Sequence, residues 1–479
     1  MVKDEIEELK SKKNIHIVGA AGIEGAAIAI FLFSRGIKNV ILHDFSHEAE
    51  FEASFKNARD YLSPKKAQEL YERLINCGYK IYYQKDYLKD IEKADLIFIS
   101  QGWFRYESNQ KLKSLKGKIS FSSVTELYFQ LAPCPIIGVT GTVGKSTTAR
   151  LIYEMLKTCG KKAYLSGNDR DNPPVLDKLL KLSKDSYLVL EVSNRQLIDL
   201  KYSPHIAIVT NIFPNHPDDH KNFAEYIKVK SNIVRYQTKK DFAVLNADNK
   251  ESRRLKNLTP AKTYFFSLKE GQRDKNLKEA RLSGEHNRAN IMAAVITGRI
   301  LRLDRAKMVK ALVNFKGLKH RLEFITKKKG ISFYEDSQST NPYSTASAIE
   351  AFSKQQTANS KQLTAGNLIL IMGGYRANAK ESDYSEPVSK FFMPHLKAVV
   401  LIGRVAPIIQ NEYFRQKRTR AHGPDFIKNC ETLAKAMREI KNLAENGDVV
   451  VLSPGAESFG EFRDYRHRGE VFKKLVDKF

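Results

Sequence analysis

An apolar, β-prone run, Ile136-Ile137-Gly138-Val139, passes directly into Thr140-Gly141-Thr142-Val143-Gly144-Lys145-Ser146-Thr147-Thr148, and helical spacing resumes from Ala149 to Leu156. Strand, glycine turn and helix in that order form the setting a phosphate loop requires. Glycines let the chain turn tightly enough to aim several N–H groups at phosphate oxygens, and the following helix offers the anion its positive end. Lys145 then reaches the terminal phosphates and Ser146 gives its hydroxyl to Mg²⁺, while Gly141, Thr142, Gly144 and Thr147 complete the cradle. The strict pattern GxxxxGK[ST] is not met, because Val139 stands at its first glycine. A Gly-Lys-Ser triplet in a surface turn is the plainer reading; the strand before and helix after favour an ATP site.

At 479 residues the chain has room for two to four domains, each with its own core. No apolar run approaches a membrane span, and the start, Met1-Val2-Lys3-Asp4-Glu5, is charged where a secretion signal would be apolar. A cytoplasmic protein is expected. Cys77, Cys134, Cys159 and Cys430 are too dispersed for a CxxC metal site and too few for a disulfide scaffold. Lys and Arg exceed Asp and Glu by 26, which points to anionic partners. The basic residues are spread along the whole chain, so we read them as a solvated surface suited to small anionic substrates, with nucleic acid the minority reading.

The rest of the chain reads as repeated α/β units. Residues 14–18 form a strand leading into Gly19-Ala20-Ala21-Gly22-Ile23-Glu24-Gly25 and an apolar helix to Phe33, and a second strand at 40–42 ends at Asp44. This GxxGxxG spacing departs from the dinucleotide fingerprint, and a Rossmann-like domain for another nucleotide is at least as good a reading. Strands at 80–83, 94–100 and 118–120 close a first domain near Cys134.

After the phosphate loop, a strand at 187–190 ends in Glu191, an acid at the carboxyl end of a buried strand and so placed to hold Mg²⁺. Asn215-His216-Pro217-Asp218-Asp219-His220 also invites a metal reading. Magnesium prefers oxygen, so at most one imidazole is expected on it, and a capping turn suits Asp218, Asp219 and His220 better than His216. In the helix at 222–237, Phe223, Tyr226, Ile227, Ile233 and Val234 trace an apolar face with Lys230 in its middle. An inward lysine is costly unless it meets anions or changes chemical form; snorkelling is the alternative. Residues 284–290 read as a polar loop before an alanine-rich helix, and 315–323 as a linker. A hairpin at 322–335, Asn341-Pro342 as a helix cap and first turn, and strands at 368–372, 398–402 and 449–452 complete a third α/β domain.

The ordered motifs TGTxGKSTT, EVSNRQL, NxxPxHxDxH with a lysine fourteen residues after its first histidine, GxHNxxN, FKGLxHRLE, DSxxTNP and LSPGAESF ahead of RGEVF resemble those of the Mur ligases of bacterial cell-wall synthesis. The match covers roughly residues 135–475; residues 1–134 are similar in architecture only. Within the family the resemblance is to the member that adds D-glutamate to UDP-N-acetylmuramoyl-L-alanine. It implies three α/β domains: a Rossmann-like UDP-sugar domain at 1–134, a central P-loop ATPase-like domain with a mostly parallel sheet at 135–317, and a Rossmann-like amino-acid domain at 318–479. It implies an ATP-driven amide ligation through an acyl phosphate, with two Mg²⁺ ions and a monomeric protein.

By the same resemblance Lys145 holds phosphates, Ser146 and Glu191 share one Mg²⁺, and His216 helps hold the second. Lys230 matches a lysine that is carbamylated in the family, whose carbamate binds magnesium. Asn168 and Ser193 approach the muramoyl substrate. Asn290, Arg321 and Asp336 bind ATP, Arg321 near the γ-phosphate and Asp336 on the ribose. Thr340, Ser458 and Tyr465 match positions that hold D-glutamate. Departures from the family pattern are Val143 for asparagine, Gln338 and Ala377 for lysines, Ser100-Gln101-Gly102-Trp103 for Ser-Pro-Gly, and Phe45-Ser46 for Thr-Arg. They leave open a ligase for another acceptor or amino acid, and a relative that binds nucleotide or nucleic acid without ligating.

Overall fold

The computed structural model describes residues 2–59, 62–167, 172–179, 181–214, 219–268, 285–354, 367–376, 379–393, 395–420, 423–424 and 426–479. It is built on three sheets. The first comprises β1 (Ile15–Val18), β2 (Val40–His43), β3 (Lys80–Tyr82), β4 (Leu96–Phe98) and β5 (Ser120–Ser122), parallel throughout in the order β3-β2-β1-β4-β5. The second comprises β6 (Ile136–Thr140), β7 (Ala163–Gly167), β8 (Tyr187–Glu191), β9 (Ile206–Val209), β10 (Phe242–Asn246) and β11 (Lys262–Phe266). It too is parallel, in the order β11-β10-β9-β6-β8-β7. In the third sheet β12 (Glu323–Lys328) pairs antiparallel with β13 (Ile331–Glu335), and β14 (Leu368–Gly373), β15 (Leu396–Ile402), β16 (Phe426–Asn429) and β17 (Val449–Leu452) complete the order β12-β13-β17-β14-β15-β16.

Buried parallel strands must be apolar on both faces, and the central strands of the third sheet are. In the third sheet Leu368, Leu370, Val399, Leu401, Val449 and Val451 pack on one side, while Ile369, Ile371, Val400, Ile402, Val450 and Leu452 pack on the other, following the two-residue period. One apolar cluster runs through the first two sheets, from Ile15 and Leu42 through Leu127 and Leu131 to Leu188 and Leu245, and another gathers Val18 and Ile97 of the first sheet with Ile99. The chain accordingly divides into two compact units, Met1–Glu270 with Ile291–Ala311, and Gly271–Asn290 with Leu312–Phe479. No helix among the described residues is long and apolar enough to cross a membrane.

Most sequence expectations about elements hold, with local corrections. The polar segment expected as a loop before the alanine-rich helix is already helical from its second residue: the helix runs Glu285–Ile300. Strands β7, β11 and β16 carried no clear signal, because β11 and β16 are largely half-exposed and lack a sustained apolar run. Pro342 opens its helix as expected, and Asn341 Oδ1 caps it by accepting the Ser344 amide at 3.0 Å.

Candidate active site

The second sheet puts the ends of β8, β6 and β9 side by side, and Glu191 and the loop before Lys145 follow from two of these ends. β6 delivers Gly141 with φ +153°, where a Cβ would stand 1.9 Å from Thr210 Oγ1 just past β9. Gly144, at φ +90°, caps the helix Lys145–Thr158. Between these glycines the backbone of Val143 is gripped by Asn211: its N–H donates to Asn211 Oδ1 at 2.9 Å and its carbonyl accepts Asn211 Nδ2 at 2.9 Å. Thr210 Oγ1 donates to the same carbonyl at 2.6 Å. The loop is thus held through the peptide at position 143, so valine there preserves its shape. Thr142 closes the other side, its amide donating to the Asn211 carbonyl at 2.9 Å and its hydroxyl lying 3.2 Å from the Tyr226 hydroxyl. Lys145 Nζ donates to the Thr142 carbonyl at 3.1 Å, and Ser146 and Thr147 are buried in the first helical turn.

Lys230 lies on the helix Phe223–Arg235 and is 1% exposed, which excludes snorkelling. Its Nζ donates to the Gly141 carbonyl at 2.9 Å and to Thr140 Oγ1 at 3.4 Å, over the Tyr226 ring. Burial, and next the positive charge of Lys145, push its amine well below the ordinary lysine range, with Glu191 pulling the other way. The amine is therefore held toward its neutral, nucleophilic form. Glu191, at the end of β8, is buried, and its Oε2 has no hydrogen-bond partner among the described residues. An unsatisfied buried carboxylate oxygen is costly, and a hard cation such as Mg²⁺ would satisfy it.

Other expected site residues are used locally. Ser193 forms a reciprocal capping box with Gln196 on the short helix Asn194–Leu197. Asp219 accepts Arg195 Nε at 2.8 Å, and His220 Nε2 lies 3.0 Å from Asn194 Nδ2, so both bond the short helix before them, while the cap expected of them on the following helix is supplied by Asn222, whose Oδ1 accepts the Glu225 amide at 3.0 Å. His216, Asn168 and Ala377 lie outside the described residues. In the first sheet Asp44 is spent on its own loop, accepting the Ala21 amide at 2.6 Å and the Ser46 hydroxyl at 2.7 Å. Beside that loop is a cavity of about 330 Å³ lined by Gly19, Gly22, Glu24, Ile28, Ser100 and Trp103.

In the second unit, Asp336 follows β13 and is buried. Its carboxylate accepts Ser339 Oγ at 2.5 Å, Ser453 Oγ at 2.7 Å and the Leu322 amide at 3.1 Å. Burial dominates those donors and raises it to about 7. Of its neighbours, sequence reasoning assigned no role to Glu335, His320 and Arg468, while Ser453 lies in the LSPGAESF segment at the end of β17. His320 Nδ1 donates to Glu335 Oε2 at 2.5 Å, and the fully buried Arg468 donates to the carbonyls of Ser337 and Ala456 at 2.8 and 3.1 Å. Gly469 makes room for this arrangement, since a Cβ there would meet His320 Nδ1 at 2.6 Å. His320, Arg468 and Gly469 all fall inside the recognised motifs, which was the available signal. Arg321 and Thr340 are partly buried beside this cluster in sequence, Ser458 is buried after β17, and Tyr465 opens the helix Tyr465–Asp477, its ring edge-on to His320. Asn290 is buried, with Nδ2 3.3 Å from Asn287 Oδ1.

Comparison with known proteins sets these features in a family. Residues 139–298 match the family described as Mur ligase middle domain, and residues 320–455 match Mur ligase, glutamate ligase domain. The UDP-N-acetylmuramoylalanine--D-glutamate ligase of Acetivibrio thermocellus is 31% identical over 93% of this chain and 98% of its own. The chain belongs to the Mur ligase family. A second relative of the same description, from Caldanaerobacter subterraneus, is 31% identical over 98% of this chain and 99% of its own. Solved Mur ligases share the three-domain fold: MurF from Acinetobacter baumannii at TM-score 0.60, with 15% identity over 99% of this chain and 98% of that one. The UDP-N-acetylmuramate-alanine ligase of Thermotoga maritima gives 0.58, with 16% identity over 97% and 99%. A MurF ligase from the same organism, solved in complex with ADP, gives 0.54, with 17% identity over 87% of this chain and 94% of that one.

Proposed function

We propose that this Mur ligase joins D-glutamate to UDP-N-acetylmuramoyl-L-alanine at the expense of ATP, a step in building the peptidoglycan precursor in the cytoplasm. The observation that carries the reading is the buried Lys230 amine, on the carbonyl of a phosphate-loop glycine and within the electrostatic influence of Glu191. A carboxylate oxygen of the muramoyl substrate attacks the γ-phosphorus of ATP, the bond to the β-bridging oxygen breaks, and ADP leaves an acyl phosphate. The amine of D-glutamate adds to the acyl carbon, inorganic phosphate departs from the tetrahedral adduct, and the nitrogen loses a proton. Charge builds on the transferring phosphoryl group and on the acyl oxygen, which is where fixed cations and amide N–H groups lower a barrier most.

In this reading the amides of residues 141–147 and the Lys145 ammonium bind the phosphates. Mg²⁺ would be held by Ser146, Glu191, His216 and Lys230 as its carbamate, and it supplies neutralisation of phosphate charge. A neutral Lys230 amine adds to carbon dioxide and loses a proton to become that carbamate. Asn290, Arg321 and Asp336 serve ATP; in place of the ribose contact expected of it, Asp336 fixes the β13 turn, its carboxylate oxygens engaged by Leu322, Ser339 and Ser453. Thr340, Ser458 and Tyr465 serve D-glutamate, Asn168 and Ser193 the muramoyl group, and the cavity beside Gly19 and Trp103 the UDP end. We assign residues 1–134, 135–317 and 318–479 to the UDP-sugar, ATP and amino acid respectively.

Purified protein with ATP, Mg²⁺, UDP-N-acetylmuramoyl-L-alanine and single amino acids tests this by phosphate release. Release with D-glutamate is expected; release with another amino acid and none with D-glutamate rejects it. That second outcome is the reading favoured by Gln338 and Ala377, which replace two lysines of the family pattern.

A further inference from the structure

Arg321 sits between two residues whose backbones are left-handed: His320 at φ +62° and Leu322 at φ +46°. Neither is glycine, and each such residue costs roughly 1 kcal/mol or more, so the surroundings must hold the turn in place. They do so with three carboxylates. The His320 amide donates to Glu323 Oε2 at 3.0 Å, and the Leu322 amide donates to Asp336 Oδ1 at 3.1 Å. The third is Glu335, which is 0% exposed and takes the His320 imidazole on Oε2 and the Ser337 amide on Oε1, at 2.6 Å. The His320 carbonyl accepts the Gln338 amide at 3.0 Å, so the turn is tied to the strand-end segment on both its N–H and C=O sides.

Glu323 and Glu335 are direct cross-strand partners in β12 and β13, an arrangement that like charges oppose. His320 bridges them, and its position is what the pairing requires. A divalent ion could in principle use the same His320, Glu323 and Glu335 donors, which lie within 4.8 Å of one another. The oxygens are already engaged by two amides, the imidazole and the Lys473 ammonium, 3.3 Å from Glu323. The trio is a hydrogen-bonded clamp.

We propose that Glu335 is a positioning residue for phosphoryl transfer: through the His320 imidazole it fixes the left-handed turn that presents Arg321. The proposal rests on Arg321 serving the γ-phosphate, as read above. A side chain acting on a transferring phosphoryl group must be placed before the group moves, and a shift of about 1 Å costs up to a hundredfold in rate. Glu335→Gln keeps the shape of the side chain and an acceptor for Ser337 while weakening the bond to the imidazole.

The test is a double-mutant cycle on the full-length protein, with ATP-dependent phosphate release measured in the presence of the muramoyl substrate and D-glutamate. Glu335→Gln is expected to lower kcat about tenfold with the KM for ATP changed less than about threefold, and Arg321→Ala to lower kcat about a hundredfold or more. In the Arg321→Ala background, Glu335→Gln should have no further effect, because there is no guanidinium left to place. Additive losses, or no loss with Glu335→Gln alone, overturn the clamp and leave the role of Arg321 intact. Unchanged turnover in Arg321→Ala overturns the reading of Arg321 itself and the clamp with it. His320→Asn, which tolerates a left-handed backbone, carries the same expectation should Glu335→Gln fail to fold.

Discussion

Lys230 Nζ donates to the Gly141 carbonyl oxygen at 2.9 Å, so an amine 89 residues further along the chain forms part of the wall of the phosphate loop. That contact fixes both the chemistry expected of Lys230 and its cost. Lys230→Ala is expected to abolish ligation while short carboxylates such as formate or acetate restore part of it, by standing in for a carbamate. Full activity of the alanine variant without additive would remove Lys230 from the reaction.

The same lysine should burden stability. Its folded-state pKa is depressed, so below the unfolded value of about 10.4 the unfolded chain binds a proton that the native chain does not, and stability rises with pH across that window. Lys230→Met should flatten this slope and be neutral or stabilising at pH 7, by denaturant melts in carbon-dioxide-free buffer. A variant that melts earlier at every pH would contradict it.

Gly141→Ala should cost about 2 kcal/mol or more, because φ is positive there and the added carbon would overlap Thr210 Oγ1. Thr210 cannot yield cheaply, since its hydroxyl also holds the Val143 carbonyl. Both the melting temperature and ATP turnover should fall together; a variant with wild-type values for both would mean the loop has more room than its geometry allows.

Asp336 supplies a pH dependence of opposite sign. Burial raises it to about 7, so between about pH 4 and 7 the native state holds a proton that the unfolded chain has lost, and its contribution to stability declines as pH rises through that range. Asp336→Asn should remove this decline, measured as the difference in unfolding free energy between pH 4.5 and 7.5. An unchanged difference would show that the Ser339 and Ser453 hydroxyls keep the carboxylate ionised.

The first sheet should respond to acid through a different pair. His16 Nδ1 and His43 Nε2 are 2.8 Å apart on adjacent strands, both side chains essentially unexposed, and burial depresses them to about 4 and about 3. Unfolded histidines take up protons near pH 6.5, so stability present above that value is lost as pH falls toward 4. His43→Leu should shift the acid midpoint of unfolding of this unit downward, read by intrinsic fluorescence; an unmoved midpoint would locate acid sensitivity elsewhere.

The elements carrying the P-loop and its flanking strands were legible because strand period, glycine position and helix spacing are local properties. Lys230 was legible as an anomaly, a charge in the middle of an apolar stripe, and its burial follows from that stripe. What it touches was not legible. Glu335 and Ser453 gave no individual signal, since an acid at a strand end and a serine before proline are ordinary residues until partners are known. Asp44 was legible as the acid that ends the second strand, but not its partners, the amide and hydroxyl of its own loop.

Sequence by itself determined the three α/β layers, the order of the motifs and the family, because backbone hydrogen bonding and side-chain periodicity are set within a few residues. Tertiary structure alone decided which groups meet. The insertion of β17 between β13 and β14 carries Ser453 to Asp336 across 117 residues, and the packing of the last helix against β13, allowed by the missing side chain at Gly469, seals Glu335 and His320 together. Strand order is a global outcome of burying both faces of a sheet, and no local pattern in the chain states it.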